Sequence, residues 1–130
     1  MGKEDNGFLS IRLKRTYEEP DETDGFRILV DRLWPRGVKK ERACIDLWFK
    51  DIAPSNELRR WSGHDPEKWG EFKKRYFSEL DSHPELIDHL WRTIEEEGKV
   101  TLVYSAKDED HNNAVVLKDY LVEKTIPGQK

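Results

Sequence analysis

Several features are scarce in this chain of 130 residues, and each scarcity excludes a class of protein. A single cysteine, Cys44, has no partner for an intrachain disulfide and rules out a metal site built from several thiolates. No apolar run approaches the ~18 residues that a membrane-spanning helix needs, and the N-terminal residues lack the apolar core of a signal peptide. Since a lone cysteine also suits a reducing compartment, we expect a soluble, cytoplasmic protein with no membrane partner.

The motifs of the common catalytic and cofactor-binding classes are also absent. The sequence has no Walker loop, no Gly-x-Gly-x-x-Gly fingerprint for a dinucleotide and no serine in a nucleophile elbow. The four histidines, at positions 64, 83, 89 and 111, lack the spacing of a metal motif such as His-Glu-x-x-His. We therefore expect neither a cofactor nor a metal.

Charged and aromatic residues, by contrast, are abundant. Five Trp, five Phe and four Tyr supply bulky core material, so the chain is expected to fold although 38% of it is charged. Its length fits one domain over residues 1–130, with 1–7 and 125–130 as flexible termini. A net charge of -4 disfavours nucleic acid as a partner, and nothing in the composition indicates an oligomeric state.

The apolar pattern predicts an α/β fold: one compact three-layer domain whose small, mostly parallel sheet is flanked by helices. Two runs, within 27–33 and 100–104, are apolar on both faces, as central strands are. Residues 8–13 alternate instead, which is typical of an edge strand. Three amphipathic helices are predicted near residues 66–80, 84–97 and 112–123. Helices between the two central strands would make those strands parallel neighbours.

Weaker local signals complete the predicted organisation. A short basic helix is predicted over 38–43 and a short strand over 45–49, so Cys44 beside that strand is expected to be a small buried residue. Ser82 and Glu85 have the spacing of a capping box. Pro54 and Ser55 predict the start of another helix, which ends with two arginines.

The stretch RILVDRLWPRG, residues 27–37, is the strongest indication of a binding site. Its apolar strand delivers Arg32, Trp34 and Arg36 to a strand carboxyl end, where open α/β sheets bind ligands. Arginine offers a planar fork of donors for carboxylate or phosphate, and Gly37 lets the backbone approach a ligand. A small anionic or nucleotide-like ligand is the predicted partner.

A second polar turn follows the other central strand. Tyr104, Ser105, Lys107, His111 and Asn112 are expected to complete the site if the two strands are parallel neighbours. Lys107 and His111 are weak candidates for acid–base chemistry. His111 could equally be a surface or capping residue beside Asn112.

Structural roles remain open for the same residues. Arg32 and Arg36 could pair with nearby carboxylates and only hold loops, the carboxylates in question being Asp31, Asp46 and Asp51. Trp61 could pack in the core, or it could join Trp34 in giving a flat ligand an aromatic wall.

Four sequence blocks between about residues 11 and 122 resemble one known family. They read DGFRILVDRLWPRG, LWFKDIAPSNELRRW, YFSEL and VTLVYSAKDEDHNNAVVLKDYL. On these blocks the chain is similar to the bacterial YeaO-like family of small uncharacterised proteins, within domain of unknown function 488. The resemblance implies an α/β fold and supplies no activity, substrate or cofactor. The residues at the family's signature positions are Asp31, Arg32, Trp34, Pro35, Arg36, Gly37, Ala53, Pro54, Ser55, Trp61, His111 and Asn112.

The wider family often carries a cysteine after its last strand and a Cys-His-Arg sequence in the following turn. This chain has Tyr104-Ser105-Ala106 and His111-Asn112-Asn113 there, so the resemblance does not extend thiol chemistry to it. Two functions remain open, and the sequence does not decide whether either is enzymatic. The first is binding, with or without transformation, of a small anionic or nucleotide-like ligand; the second is a non-enzymatic regulatory or interaction module that meets a protein or nucleic acid. A concave pocket would favour the first and a flat exposed patch the second.

Overall fold

The computed structural model describes residues 10–63 and 65–124, in which four parallel strands form one sheet. The strands are β1 (Ser10–Arg15), β2 (Phe26–Leu29), β3 (Leu47–Trp48) and β4 (Lys99–Tyr104), and their order across the sheet is β1-β4-β2-β3. The expected parallel pairing of the two central strands is confirmed, with Ile28 of β2 opposite Leu102 of β4. Both strands are almost wholly buried, which explains why apolar residues occur on both of their faces.

Five α-helices lie in the described residues, and the three long ones match the predicted ranges. They are α1 (Lys40–Ala43), α2 (Asn56–Ser62), α3 (Trp69–Asp81), α4 (Pro84–Glu97) and α5 (Asn113–Glu123). Short 3₁₀ turns precede β2, α2 and α3 at Glu22–Asp24, Lys50–Ile52 and Pro66–Lys68. The chain is therefore an α/β domain with a small parallel sheet and flanking helices, as expected. None of these helices is both long and apolar enough to cross a membrane.

The helix ends confirm some of the predicted caps and correct one. Asn112 caps α5, because its side-chain oxygen accepts a hydrogen bond from the Val115 N–H at 3.0 Å. The capping box at Ser82 is wrong, since His83 is the residue before α4 and its side chain makes no capping bond. Ser82 instead closes α3 and donates its hydroxyl to the Ser78 carbonyl, because only two residues separate the two helices.

Some predicted elements are shorter than expected or extend beyond the described residues. The short basic helix shrinks from 38–43 to α1, and the strand over 45–49 shrinks to β3. Strand β1 is an edge strand as predicted, although the first two residues of its predicted range are not described. The predicted flexible termini, 1–7 and 125–130, lie outside the described residues.

A buried group of charges, which we call the Asp24 cluster, consists of Lys14, Asp24 and Arg27. Asp24 is fully buried and lies 2.6 Å from the Arg27 guanidinium and 3.1 Å from the Lys14 ammonium. Burial acts to raise the pKa of Asp24, but the Asp21 N–H and the two cations hydrogen-bond to the carboxylate and lower the pKa overall. The Asp24 carbonyl also accepts the Thr101 hydroxyl of β4 at 2.7 Å. The cluster therefore ties β1, β2 and β4 together.

Arg27 extends this cluster to the end of α1. Its Nη2 and Nε atoms donate to the carbonyls of Ala43 and Cys44 at 2.9 and 3.0 Å. These bonds use carbonyls that a helix end would otherwise leave unpaired. The loop between β2 and α1 is consequently closed at its base by one buried side chain.

We predict that Arg27→Met strongly destabilises the fold. The substitution keeps most of the side-chain volume but leaves Asp24 with one cationic partner and the carbonyls of Ala43 and Cys44 without this donor, a loss of about 3 to 5 kcal/mol. Chemical denaturation measures it. The control is Arg92→Met, which breaks only an exposed pair with Asp88 and should cost less than about 1 kcal/mol. Equal losses in the two variants would contradict the role given to the Asp24 cluster.

Candidate functional site

A cavity of about 610 Å³ opens where β2 and β4 end, and we call it the strand-end cavity. Its walls are the loop after β2, the helix α2, the start of α3 and the turn after β4. The two turns that the sequence analysis expected to meet therefore line one space. Parallel strands place their carboxyl ends at the same edge of a sheet, which is why residues about 70 positions apart come together here.

The strand-end cavity brings together six of the ten residues predicted to bind a ligand and leaves four outside its lining. The six that line it are Arg32, Trp34, Arg36, Ser105, His111 and Asn112. The four that do not are Gly37, Trp61, Tyr104 and Lys107.

Each of the four outlying residues has another environment. Tyr104 is only 3% exposed and packs in the core, whereas Lys107 is exposed to solvent. The ring of Trp61 faces cations, with the Arg75 guanidinium 4.0 Å from its centroid. Gly37 has a φ of +77° and lines a smaller, shallower cavity, so the turn requires it for its backbone conformation.

Four arginines line the strand-end cavity, and none of them forms an ion pair with a carboxylate of the described residues. Two, Arg32 and Arg36, come from the loop after β2, and two, Arg59 and Arg60, come from α2. The suggested pairing of Arg32 or Arg36 with Asp31, Asp46 or Asp51 does not occur. Guanidinium groups are thus present at the cavity without carboxylate partners.

Arg32 is the most confined of these arginines. Its Nη2 atom donates to the Ala53 carbonyl at 3.2 Å, which holds the side chain against the start of α2. Its Nε atom is buried and has no acceptor within the described residues. The other buried side-chain atom without a partner there, Nε1 of Trp91, does not line this cavity. A buried donor without an acceptor is uncommon and calls for a physical explanation.

The predicted helix at Ser55 is confirmed, and its cap fixes the position of Arg59 and Arg60. The Ser55 hydroxyl accepts from the Leu58 N–H at 3.0 Å and donates to a Glu79 oxygen of α3 at 2.6 Å. The Ser55 N–H donates to the other Glu79 oxygen at 2.9 Å. Helix α2 is thereby fastened to α3, and its two arginines are held at the cavity.

The three aspartates of the cavity, unlike the arginines, already have partners. Asp31 accepts the Ser105 N–H at 2.9 Å, and Asp65 accepts the Glu67 N–H at 3.0 Å. Asp108 accepts backbone N–H groups of its own turn and lies 3.0 Å from Nδ1 of His111. The backbone bond from Asp110 and the contact with His111 lower the pKa of Asp108. The carboxylates thus stabilise the fold, while the arginines keep free donors.

Asp31 is a site residue that the sequence analysis considered only as a partner for arginine. Burial raises the pKa of its carboxyl, although hydrogen bonds from Asn113 and Ser105 and the charge of Arg59 act in the opposite direction. Its carbonyl accepts the Trp48 indole N–H at 2.8 Å, which anchors the loop to β3. The sequence signal was its position as the first polar residue after the buried run of β2.

The aromatic wall of the cavity differs from the expected one. Trp34 is present, held by a 2.7 Å bond from its indole N–H to the Val38 carbonyl. The second tryptophan is Trp69, in place of Trp61; it stacks on Phe72 with 5.7 Å between ring centroids. The rings of Trp69 and His111 are perpendicular, with 4.9 Å between their centroids. Trp69 belongs to the amphipathic helix predicted near residues 66–80, and its position in the first turn of α3 places it at the cavity.

The two acid–base candidates have different positions. His111 lines the cavity and contacts Asp108, whereas Lys107 lies outside the lining. No group of three or more His, Cys, Asp or Glu residues within 10–63 and 65–124 has the arrangement of a metal site.

Residues 10–129 match the model of a family described as the inactive DUF488-N3 subclade. The chain belongs to this subclade. It is 42% identical over 113 residues to the uncharacterised protein YeaO of Escherichia coli (strain K12), a match that covers 87% of the chain and 97% of the relative. It is 40% identical over 111 residues to an uncharacterised protein of Mycobacterium tuberculosis strain H37Rv, covering 85% and 92%. No solved structure matches it at a significant level. The family resemblance of the sequence blocks is thus confirmed.

Cys44, the only cysteine of this DUF488-N3 chain, lies outside the cavity lining, and its predicted burial is wrong. The residue is exposed and ends α1 in a left-handed conformation, with φ at +51°. The prediction failed because β3 starts only at Leu47, so Cys44 belongs to the helix end and its carbonyl is used by Arg27. No thiol is therefore available at the cavity.

We predict that Asp31→Asn folds at least as stably as the wild type at neutral pH. Because the folded state raises the pKa of this carboxyl, ionised Asp31 opposes folding above that pKa. Asparagine keeps an acceptor for the Ser105 N–H and removes the charge, and we expect these two effects to outweigh the loss of the 3.2 Å bond from the Asn113 amide. Any gain should therefore shrink as the pH falls from the raised pKa towards the ordinary aspartate value, where Asp31 of the wild type is also neutral. Thermal unfolding against pH measures this, and a variant much less stable than the wild type at pH 7 would contradict it.

Proposed function

We propose that this protein binds a small anionic ligand, of phosphate or nucleotide type, in the strand-end cavity. The observation that carries the proposal is the buried Nε of Arg32, which has no acceptor within the described residues. Leaving such a donor unpaired costs about 1 to 3 kcal/mol, and more for a charged group. Arg32 lines the cavity, so a small rotation of its side chain would expose Nε to an anion there, which would supply the missing acceptor and form a charge-assisted hydrogen bond.

The distribution of charge supports an anionic ligand. The chain contains 27 acidic and 23 basic residues, so carboxylates are available to pair with arginine almost anywhere on its surface. None of the four arginines of the cavity nevertheless forms an ion pair with a carboxylate of the described residues, while its aspartates accept hydrogen bonds from the protein. Such a separation of charge leaves the arginine donors available to an anion from solution.

The shape of the site favours a small molecule over a macromolecular partner. A volume of about 610 Å³ lies within the range of ~300 to 1,000 Å³ that is usual for small-molecule sites. Trp34, Trp69 and Phe72 add aromatic surface to the arginines, a combination suited to a flat, charged ligand. An interaction module would instead be expected to present a flat apolar patch. Only Leu33 and Tyr17 are large exposed apolar residues among those lining the cavity.

The proposed function is binding of the ligand, without a reaction that uses a cysteine thiol as nucleophile. The family is described as inactive, and the cysteine positions of the wider family are occupied here by other residues. His111 with Asp108 is the acid–base pair that a reaction would use, but it has no nucleophilic thiol beside it. A cytoplasmic location belongs to the same proposal, on the strength of the single unpaired cysteine.

We predict that Arg36→Ala weakens anion binding and leaves the fold intact. The guanidinium of Arg36 has no partner within the described residues, and the bond from the Tyr17 hydroxyl goes to its backbone carbonyl at 3.1 Å. Without ligand, the melting temperature should therefore equal that of the wild type. With inorganic phosphate or adenosine monophosphate, the stabilisation should be smaller, corresponding to a loss of about 1 to 3 kcal/mol of binding free energy.

The control is Arg92→Ala, which removes one arginine from an exposed face of α4. This variant should respond to phosphate as the wild type does. Sodium chloride at matched ionic strength should stabilise each protein less than phosphate stabilises the wild type. If Arg36→Ala lowers the melting temperature yet keeps the full phosphate effect, Arg36 has only a structural role. If no anion stabilises the wild type, the proposed function is wrong.

A further inference from the structure

One group in the strand-end cavity has the same charge as the proposed ligand. Asp31 and the adjacent Arg32 both line the cavity, so an anion held there by Arg32 would lie near the Asp31 carboxyl. We propose that Asp31 makes the site selective for anions that carry an acidic proton, such as hydrogen phosphate, over fully ionised anions such as sulfate. This inference rests on the proposed function and names its ligand class.

The geometry leaves Asp31 able to accept one more hydrogen bond. Its Oδ2 atom accepts the Ser105 N–H at 2.9 Å, and its Oδ1 atom accepts the Asn113 amide at 3.2 Å. A carboxylate has about four acceptor positions, so these two bonds do not saturate it. Both donors come from the side of β4 and α5, and the residue still contributes to the cavity wall.

The surroundings of Asp31 do not neutralise it by contact. From α2, Arg59 contributes a favourable charge without forming an ion pair, and from α3, Tyr76 gives its hydroxyl to the Ile52 carbonyl. The neighbouring Arg32 donates to the start of α2, and β3 contributes only the neutral indole of Trp48. Asp31 is thus a carboxyl without a cation within 4.0 Å in the described part of the chain.

Two negative groups in contact are stable only if they share a proton, as paired carboxylates do. Hydrogen phosphate brings that proton: its O–H donates to Asp31 while its other oxygens accept from arginine. Sulfate has no proton near neutral pH, so its oxygens would face acceptor lone pairs. Burial raises the pKa of Asp31, which makes the carboxyl a good acceptor for a shared proton. Binding of this kind moves at most the shared proton, and it forms or breaks no other covalent bond.

The charge of Asp31 is not needed for the bond from the Ser105 N–H. An asparagine would accept that bond without placing a charge in a partly buried site, which is unfavourable, although it would lose the 3.2 Å bond that Oδ1 accepts from the Asn113 amide. A protonated ligand in the cavity would give the charge of Asp31 a further role.

The test is isothermal titration calorimetry with three probes at matched ionic strength: inorganic phosphate, sulfate and glycerol phosphate. The wild type should bind phosphate at least about tenfold more tightly than sulfate, the scale of one hydrogen bond to a charged group. Free phosphate keeps a proton between pH 5.5 and 8, so its binding should persist. A monoester loses its last proton near a pKa of about 6, so its affinity should fall above that pH.

The variant Asp31→Asn should bring phosphate and sulfate to within about threefold of each other, mainly because its amide can donate to sulfate. Equal affinities for phosphate and sulfate in the wild type would overturn the inference and leave the anion site standing. A preference that survives in Asp31→Asn would also overturn it. The absence of binding by all three probes would overturn the proposed function together with the inference. The wild-type comparison decides the matter even if the variant does not fold.

Discussion

The buried guanidinium of Arg27 fixes three parts of the chain with respect to each other. It binds the carboxylate of Asp24, which precedes β2, and the last carbonyls of α1, which follows the loop after β2. Because the same side chain belongs to β2, both ends of that loop are anchored to one strand. A buried ion pair such as that of Arg27 and Asp24 is compatible with a stable fold only while all of its donors and acceptors are paired. The position of the loop, and with it of Arg32 and Arg36, depends on this cluster.

The anchored loop accounts for the separation of charge at the cavity. Asp31 is held from both sides of β2, by the Trp48 side chain of β3 and by the Ser105 N–H directly after β4. The Ala53 carbonyl holds Arg32. The Arg32 side chain is therefore held at the cavity before any ligand arrives, and binding would need only to expose its Nε atom. Preorganisation of this kind raises affinity, since it lowers the entropy that binding must overcome. Rigid placement of unpaired arginines is more consistent with an anion site than with solvated surface charge.

The sequence predicted the features that depend on local order. The apolar residues that make up most of β2 and the amphipathic pattern of α3 arise from residues close in the chain, and both elements were confirmed. The parallel pairing was confirmed as well, since it follows from the helices that separate the two central strands. Arg32 and Arg36 were likewise found from their position after a strand. That these two arginines bind a ligand is still a prediction.

The features that the sequence analysis missed depend on distant partners. The burial of Asp24 is one of them, because it rests on Lys14 and on Thr101, which lies 77 residues away. Trp69 replaced Trp61 in the aromatic wall because the packing of α2 on α3 decides which ring faces the cavity. Cys44 was judged from its apolar neighbours, whereas a carbonyl contact with Arg27 determines its conformation. Local pattern does not contain these contacts.

The central claim is that the unpaired Nε–H of Arg32 binds the anion, and nuclear magnetic resonance tests it most directly. The Arg32 Nε–Hε signal, assigned by its absence in Arg32→Lys, would be followed while inorganic phosphate is added to the wild type. The account predicts a saturable downfield shift of this signal, with the same midpoint as the phosphate-dependent gain in stability. A gain in stability that leaves the Arg32 Nε–Hε signal unmoved would contradict it.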